Sequence, residues 1–142
     1  MKTNKELLSS ITKTAQMGQV GIHCVMEYAQ NKELKQALRS QLEEYDRIEE
    51  EALNIADQRG WEIAQLSPAS KMMSMAYTRA SLMMGNVDSR IAAMMINGST
   101  KGMIKSIKNQ HHCVNIDSRI DRLGEKLLAH ETANIRQMQE YL

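Results

Sequence analysis

Apolar residues recur from Leu8 to Ala29 at steps of three and four without a miss: Leu8, Ile11, Ala15, Gly18, Ile22, Val25 and Ala29. That period places all seven on one stripe of an α-helix and is incompatible with the alternation of a half-buried strand. Leu34, Leu38, Gln41, Tyr45, Ile48, Ala52 and Ile55 repeat the pattern with one amide among them. The last 23 residues do so again through Ile120, Leu123, Leu127, Leu128, Glu131, Ile135, Met138 and Leu142. No segment shows strand alternation, low complexity or an array of repeats, so the chain reads as all-α.

Boundary signals divide these stripes into helices. Thr3 and Glu6 have the spacing of a capping box, and Asn31 is a natural N-cap after a helix that runs to about Gln30. Gly60 suits the end of the second helix. Ser67-Pro68 opens a third, with serine as N-cap and proline at the first helical position. Met73, Ala76, Ala80 and Met83 form its expected seam, and Met84-Gly85-Asn86-Val87-Asp88 interrupts it by a kink or a break. His111-His112-Cys113-Val114 reads as a connecting turn, with Asn115 or Asp117 capping the last helix. The short link at Asn31 makes the first two helices an antiparallel hairpin. Trp61, Ile63 and Leu66 lie in a longer connection and are expected to tuck under the end of the bundle.

Residues 87–110 are expected to be the organising helix. Ile91, Met95, Gly98 and Gly102 make one stripe, and Ile96, Met103 and Ile107 lie well round from it. A helix apolar on several sides is usually touched by several neighbours. The two glycines, each costing about 1 kcal/mol of helix propensity against alanine, are expected to form a flat patch for close backbone approach.

The chain of 142 residues is long enough for one domain with a core, taken as residues 1–142, and too short for two comfortable ones. Apolar residues at 42% and charged residues at 25% are an ordinary globular balance, and a formal net charge of +1 gives no strong pull toward nucleic acid or an anionic membrane. No run approaches the roughly 20 apolar residues of a membrane span, and residues 1–19 lack the apolar core of a signal peptide. A cytoplasmic location is therefore expected. Cys24 and Cys113 stand apart without zinc-type spacing and read as two buried or inert thiols, with a disulfide as the alternative. Twelve methionines and no phenylalanine point to a core packed with flexible thioethers rather than to Cu(I) chemistry.

Four-helix bundles build di-metal sites from a glutamate on each of two helices and Glu-x-x-His on each of the others. Here the pattern is incomplete. Glu131 occupies an apolar seam, where a bare carboxylate is costly, and is followed three residues on by Asn134. Glu44 is followed by Arg47, and Glu27 follows His23 by one turn. From Ser70 to Gln110 the only acid is Asp88. Glu27, Glu44, Glu131 and His23 are thus the candidate metal ligands, iron or manganese the candidate ions. The alternative for Glu131 is an ion pair with Lys101 or Lys105 of a neighbouring helix. No phosphate loop, GxSxG or Ser/His/Asp arrangement is present, so no catalytic residue is assigned.

The layout of four long helical units, with the segment from Leu38-Arg39 through Arg59-Gly60-Trp61 to Ser67-Pro68 and Met72, resembles the ferritin-like superfamily, and within it the small bundles of the spore coat protein F type. The resemblance implies an antiparallel four-helix bundle with its third helix kinked or broken near Gly85-Asp88. It also implies a spore-associated setting, and a di-iron oxidase or iron store where the ligands are intact. With Arg47 and Asn134 in place of histidines, the expectation is a non-catalytic structural or interaction protein without a cofactor. Such a protein would self-associate, a homodimer being the favoured assembly, or bind a protein partner through Met-rich and Gly-x-x-x-Gly faces.

Overall fold

The computed structural model describes residues 2–82 and 85–142. Its helices are α1 (Asn4–Met26), α2 (Lys32–Gln58), α3 (Pro68–Ser81), α4 (Val87–His112) and α5 (Ser118–Gln139), and no strand occurs among the described residues. The expected caps are in place. Thr3 and Glu6 form the reciprocal capping box, and Asn31 accepts from the amides of Glu33 and Leu34. Ser67 accepts from Ser70 ahead of Pro68, and Asp117 accepts from Arg119 and Ile120. Gly60 sits at φ 64°, the left-handed conformation that ends a helix at little cost to glycine.

Side-chain pairing sets the directions. As α1 advances from Gln16 to Gln19, its partner on α2 retreats from Glu49 to Asp46. Arg119 of α5 meets Glu51, and Glu131 meets Tyr45. Ser10 of α1 accepts from Asn109, and Thr14 lies against Gly102 of α4. Gly124 of α5 faces Gln110, and Glu131 faces Gly102. Helices α1, α2, α5 and α4 therefore form a ring in which each runs antiparallel to the next, with α1 also touching α5 across it. In chain order the four run up, down, down and up.

Two successive downward helices need a return path, and residues 61–82 supply it. The amide of Ala64 donates to the Ser9 hydroxyl, that of Leu66 to Gln16, and the Ser74 hydroxyl to the Met17 thioether. The connection thus climbs the flank of α1 instead of tucking under the bundle's end, with Trp61 and Ile63 half-buried along the way. The interruption expected near Gly85-Asp88 is a chain reversal and not a kink. Helix α3 runs parallel to α1 while α4 runs antiparallel to it, and Gly85 (φ 82°) and the N-cap Asn86 lie at the turn. Met83 and Met84 lie outside the described residues.

Helix α1, not α4, is the central element, since it packs against all four others. Helix α4 contacts α1 and α5, buries Ile91, Ala92, Met95, Ser99 and Gly102, and leaves Ile104 and Ile107 47% and 37% exposed. Its second apolar side is divided, with Ile96 packed against the core, Met103 half-buried and Ile107 at the surface. The seam expected for α3 is also inverted. Met73 is 74% exposed and Ala76 and Ala80 face solvent, whereas Thr78 is buried and Ser70 and Ser74 are half-buried on the α1 side.

Candidate functional site

Glu131 is the most buried acid in the chain, 2% exposed, and it lies where the four ring helices meet. Tyr45, on the inward seam of α2 and equally buried, donates its hydroxyl to Glu131 Oε1 across 2.6 Å. The amide of Asn134, one turn along α5, donates to the same phenol oxygen at 3.3 Å. Buried Ser99 of α4 lies close enough to the pair to lower the pKa of both groups. Two glycines make the space. A Cβ on Gly18 of α1 would lie 2.5 Å from the Tyr45 ring, and one on Gly102 would lie 3.1 Å from the Glu131 carboxyl carbon. Each ring helix thus contributes a residue to one polar centre.

The electrostatics follow from burial. Desolvation raises Glu131 to about 7, while the hydrogen bond from Tyr45, and after it the nearby Ser99 hydroxyl, pull the other way by stabilising the carboxylate. Tyr45 is held above the ordinary phenol range, first by desolvation and then by the neighbouring carboxylate. No lysine serves this glutamate. Lys101 and Lys105 are exposed on α4, and the place at Glu131 expected for one of them is taken by the Tyr45 hydroxyl. Tyr45 carries an apolar ring, which is why the α2 periodicity counted it as packing. The overlooked signal was the glutamate itself: a carboxylate in a seam requires a donor opposite, and Tyr45 is the only aromatic hydroxyl in the facing stripe.

His130, adjacent to Glu131, reaches the same tyrosine from outside. Its ring stands edge-on to Tyr45 with centroids 4.5 Å apart, and Nε2 lies 3.1 Å from the Gln41 carbonyl. Burial lowers its pKa, keeping the imidazole neutral with Nε2–H as donor. Gln41 in turn donates to Gln137 at 2.9 Å. Together these residues sew α2 to α5 below a shallow open groove edged by Glu44, Arg47 and Lys126.

The other metal candidates lie elsewhere. Glu44 is one-third exposed and paired with Arg47 at 3.0 Å. Glu27 is the exposed C-cap of α1, and His23 is exposed on its last turn. Among the described residues no three histidine, cysteine or acidic side chains come together as a metal-holding group. The donor set does not fit a di-iron centre. Its one buried carboxylate is turned to a phenol, and the other two acids face solvent. Cys24 and Cys113 are both buried free thiols.

Comparison with known proteins bears on the fold alone. One solved structure, described as "YcfI, a putative structural protein from Rhodopseudomonas palustris", superposes with a TM-score of 0.62 at 18% sequence identity. The match covers 94% of this chain and 90% of that one. No family model matches the chain, and no curated protein matches it.

Proposed function

We propose that this chain is a non-catalytic member of the ferritin-like bundles with a structural or interaction role, and that it self-associates, most simply as a two-fold dimer. The observation that carries the reading is the reversed helix α3. Met72, Met73, Met75 and Tyr77 are 50–74% exposed, while the hydroxyl side of the same helix lies on α1. A helix that turns its thioethers and a tyrosine to water is stabilised when a second protein surface covers them, and methionine adapts its shape to such a surface. A second copy is the commonest partner.

The up-down-down-up course with one long crossover supports the ferritin-like assignment, because that connection separates ferritin-like folds from simple up-down bundles. The fold likeness to a protein described as structural supports a non-catalytic role. So does the closed Tyr45–Glu131 centre, which offers no open face to a substrate. Kinship with the spore coat protein F type rests on Arg59-Gly60-Trp61. There Arg59 lies over the Trp61 ring at 5.2 Å and binds Asp117 at 2.7 Å, fastening the end of α2 to the start of α5.

Two measurements test the proposal. Sedimentation of the wild-type chain at high salt should show a dimer that a Met73→Glu/Tyr77→Glu variant converts to a folded monomer; a wild-type monomer at every concentration refutes self-association. Elemental analysis of protein purified without chelator, beside Glu131→Leu, should find no stoichiometric metal in either. About two iron or manganese ions per chain, lost with Glu131, would replace the structural reading with an oxidoreductase or metal store.

A further inference from the structure

Charge is sorted between two helices at opposite corners of the ring. Helix α2 carries eight acids and four bases, while α4 carries four bases and a single acid, Asp88, at its first turn. The chain as a whole is nearly neutral at +1, so the sorting makes a strongly dipolar bundle from a balanced sequence. In the ring α2 is flanked by α1 and α5, and so is α4, which keeps the two charged faces on opposite sides of the molecule.

Each face is ordered as well as charged. Glu43, Glu50 and Asp57 are exposed and recur every seven residues, one line down the outer side of α2, and none belongs to an ion pair among the described residues. On α4, Lys101, Lys105 and Lys108 are exposed around Ile104, again without an ion pair among the described residues. Lys101 and Lys108 are also seven residues apart. Two helical turns are about 10.5 Å on either helix, so both ends of the lysine row can meet successive acids of an α2 face at once. Partial burial, and after it the nearby Lys13 and Lys2, lower the pKa of Lys105, and the share due to those two lysines is one that an acidic surface would relieve.

We infer that the α4 lysine face of one copy docks on the α2 acidic stripe of the next, a heterologous contact that joins copies head to tail. This deepens the self-association reading and rests on it. The complement to the lysine face is carried by the same chain, with matching spacing, and Ile104 and Ile107 supply apolar area at the centre of the contact. Because donor and acceptor faces differ, the contact does not close on itself after two copies and leads to rings or filaments. Combined with a two-fold contact through α3, it would give an extended array.

The test is sedimentation at about 0.1 M and about 1 M salt, between which the screening length falls from roughly 10 Å to roughly 3 Å. Wild-type protein should form species larger than a dimer at low salt and revert to the dimer at high salt, with at least a tenfold fall in association constant. The variants Lys101→Glu/Lys105→Glu/Lys108→Glu and Glu43→Lys/Glu50→Lys/Asp57→Lys, checked for folding by circular dichroism, should each stop at the dimer. Mixing the two should restore the larger species. Lys5→Glu/Lys32→Glu/Lys126→Glu, which changes net charge equally elsewhere, should assemble as wild type does. A wild type that stops at the dimer at low salt overturns this contact and leaves self-association standing; a monomer overturns both. Equal loss in the control triple reduces the effect to net charge and overturns the assigned faces. Binding of a single-stranded polynucleotide through the α4 lysines, without assembly, would overturn it in favour of a nucleic-acid partner.

Discussion

Tyr45 and Glu131 share a 2.6 Å hydrogen bond where all four ring helices meet, and neither is more than 2% exposed. A polar pair so placed contributes little net stability compared with apolar residues of the same shape, but it penalises any register that separates the partners. Shifting α2 by one turn against α5 would part the two and strand a buried carboxyl without its donor. The pair therefore selects one alignment of the helices.

Glu131 gives the fold a pH dependence of definite sign. Its folded pKa, about 7, lies above the ordinary carboxyl value of 4.5, so between these pH values the folded state binds more protons than the unfolded one. Stability should fall as pH rises from about 4.5 through about 7 and then level off, by at most about 3 kcal/mol. Urea unfolding across pH 4.5–8 should show this slope in the wild type and lose it in Glu131→Gln. An equal slope in both proteins would assign the effect elsewhere.

Tyr45→Phe keeps the ring and removes the donor. The buried carboxyl then loses its 2.6 Å donor, and Asn134 loses its acceptor, at an expected cost of about 1–3 kcal/mol. Because the phenol holds Glu131 down, its loss should also carry the downward slope to higher pH. Denaturant midpoints at pH 6 and pH 8 separate the two effects.

Two glycines on different helices, Gly18 of α1 and Gly98 of α4, should respond with opposite sign. Gly18→Ala drives a Cβ to 2.5 Å from the Tyr45 ring and should cost about 1–3 kcal/mol by overpacking. Gly98→Ala meets nothing within 4 Å and should stabilise α4 by up to about 1 kcal/mol through helix propensity. Thermal unfolding of both variants decides whether each glycine serves packing or none.

Asp88 holds the top of the bundle together. Its two carboxylate oxygens accept from the amides of Gln30 (2.8 Å) and Asn31 (3.0 Å), joining the first turn of α4 to the α1–α2 link. Asp88→Ala should cost about 1–3 kcal/mol and should speed amide hydrogen exchange at Gln30 and Asn31 before it does so in the middle of α2. Unchanged exchange at these amides would rule out the clamp.

The seams of α1, α2 and α5 were legible in the sequence because burial on a single helix face repeats with the helix's own period. All seven α2 positions from Leu34 to Ile55 are buried, Gln41 included, and the caps at Thr3, Asn31, Ser67 and Asp117 needed only their immediate neighbours. The candidate site was half legible. Glu131 was marked by its place in a stripe, but its partner lies 86 positions away and carries a residue type that periodicity counts as apolar. Helix α3 was misread for the converse reason. Its period was correct, but its methionines face outward, and a periodic pattern locates a stripe without saying whether this chain or another covers it.

The sequence by itself determined the helices, their limits and the inward faces of three of them, since these depend on interactions within one or two turns. Only the tertiary structure decided that residues 61–82 cross the length of α1, that α1 and not α4 is central, and that Glu131 is matched to a phenol. Those outcomes depend on which stripe meets which, a choice made by the joint packing of five helices and by the need of one buried carboxyl for a donor.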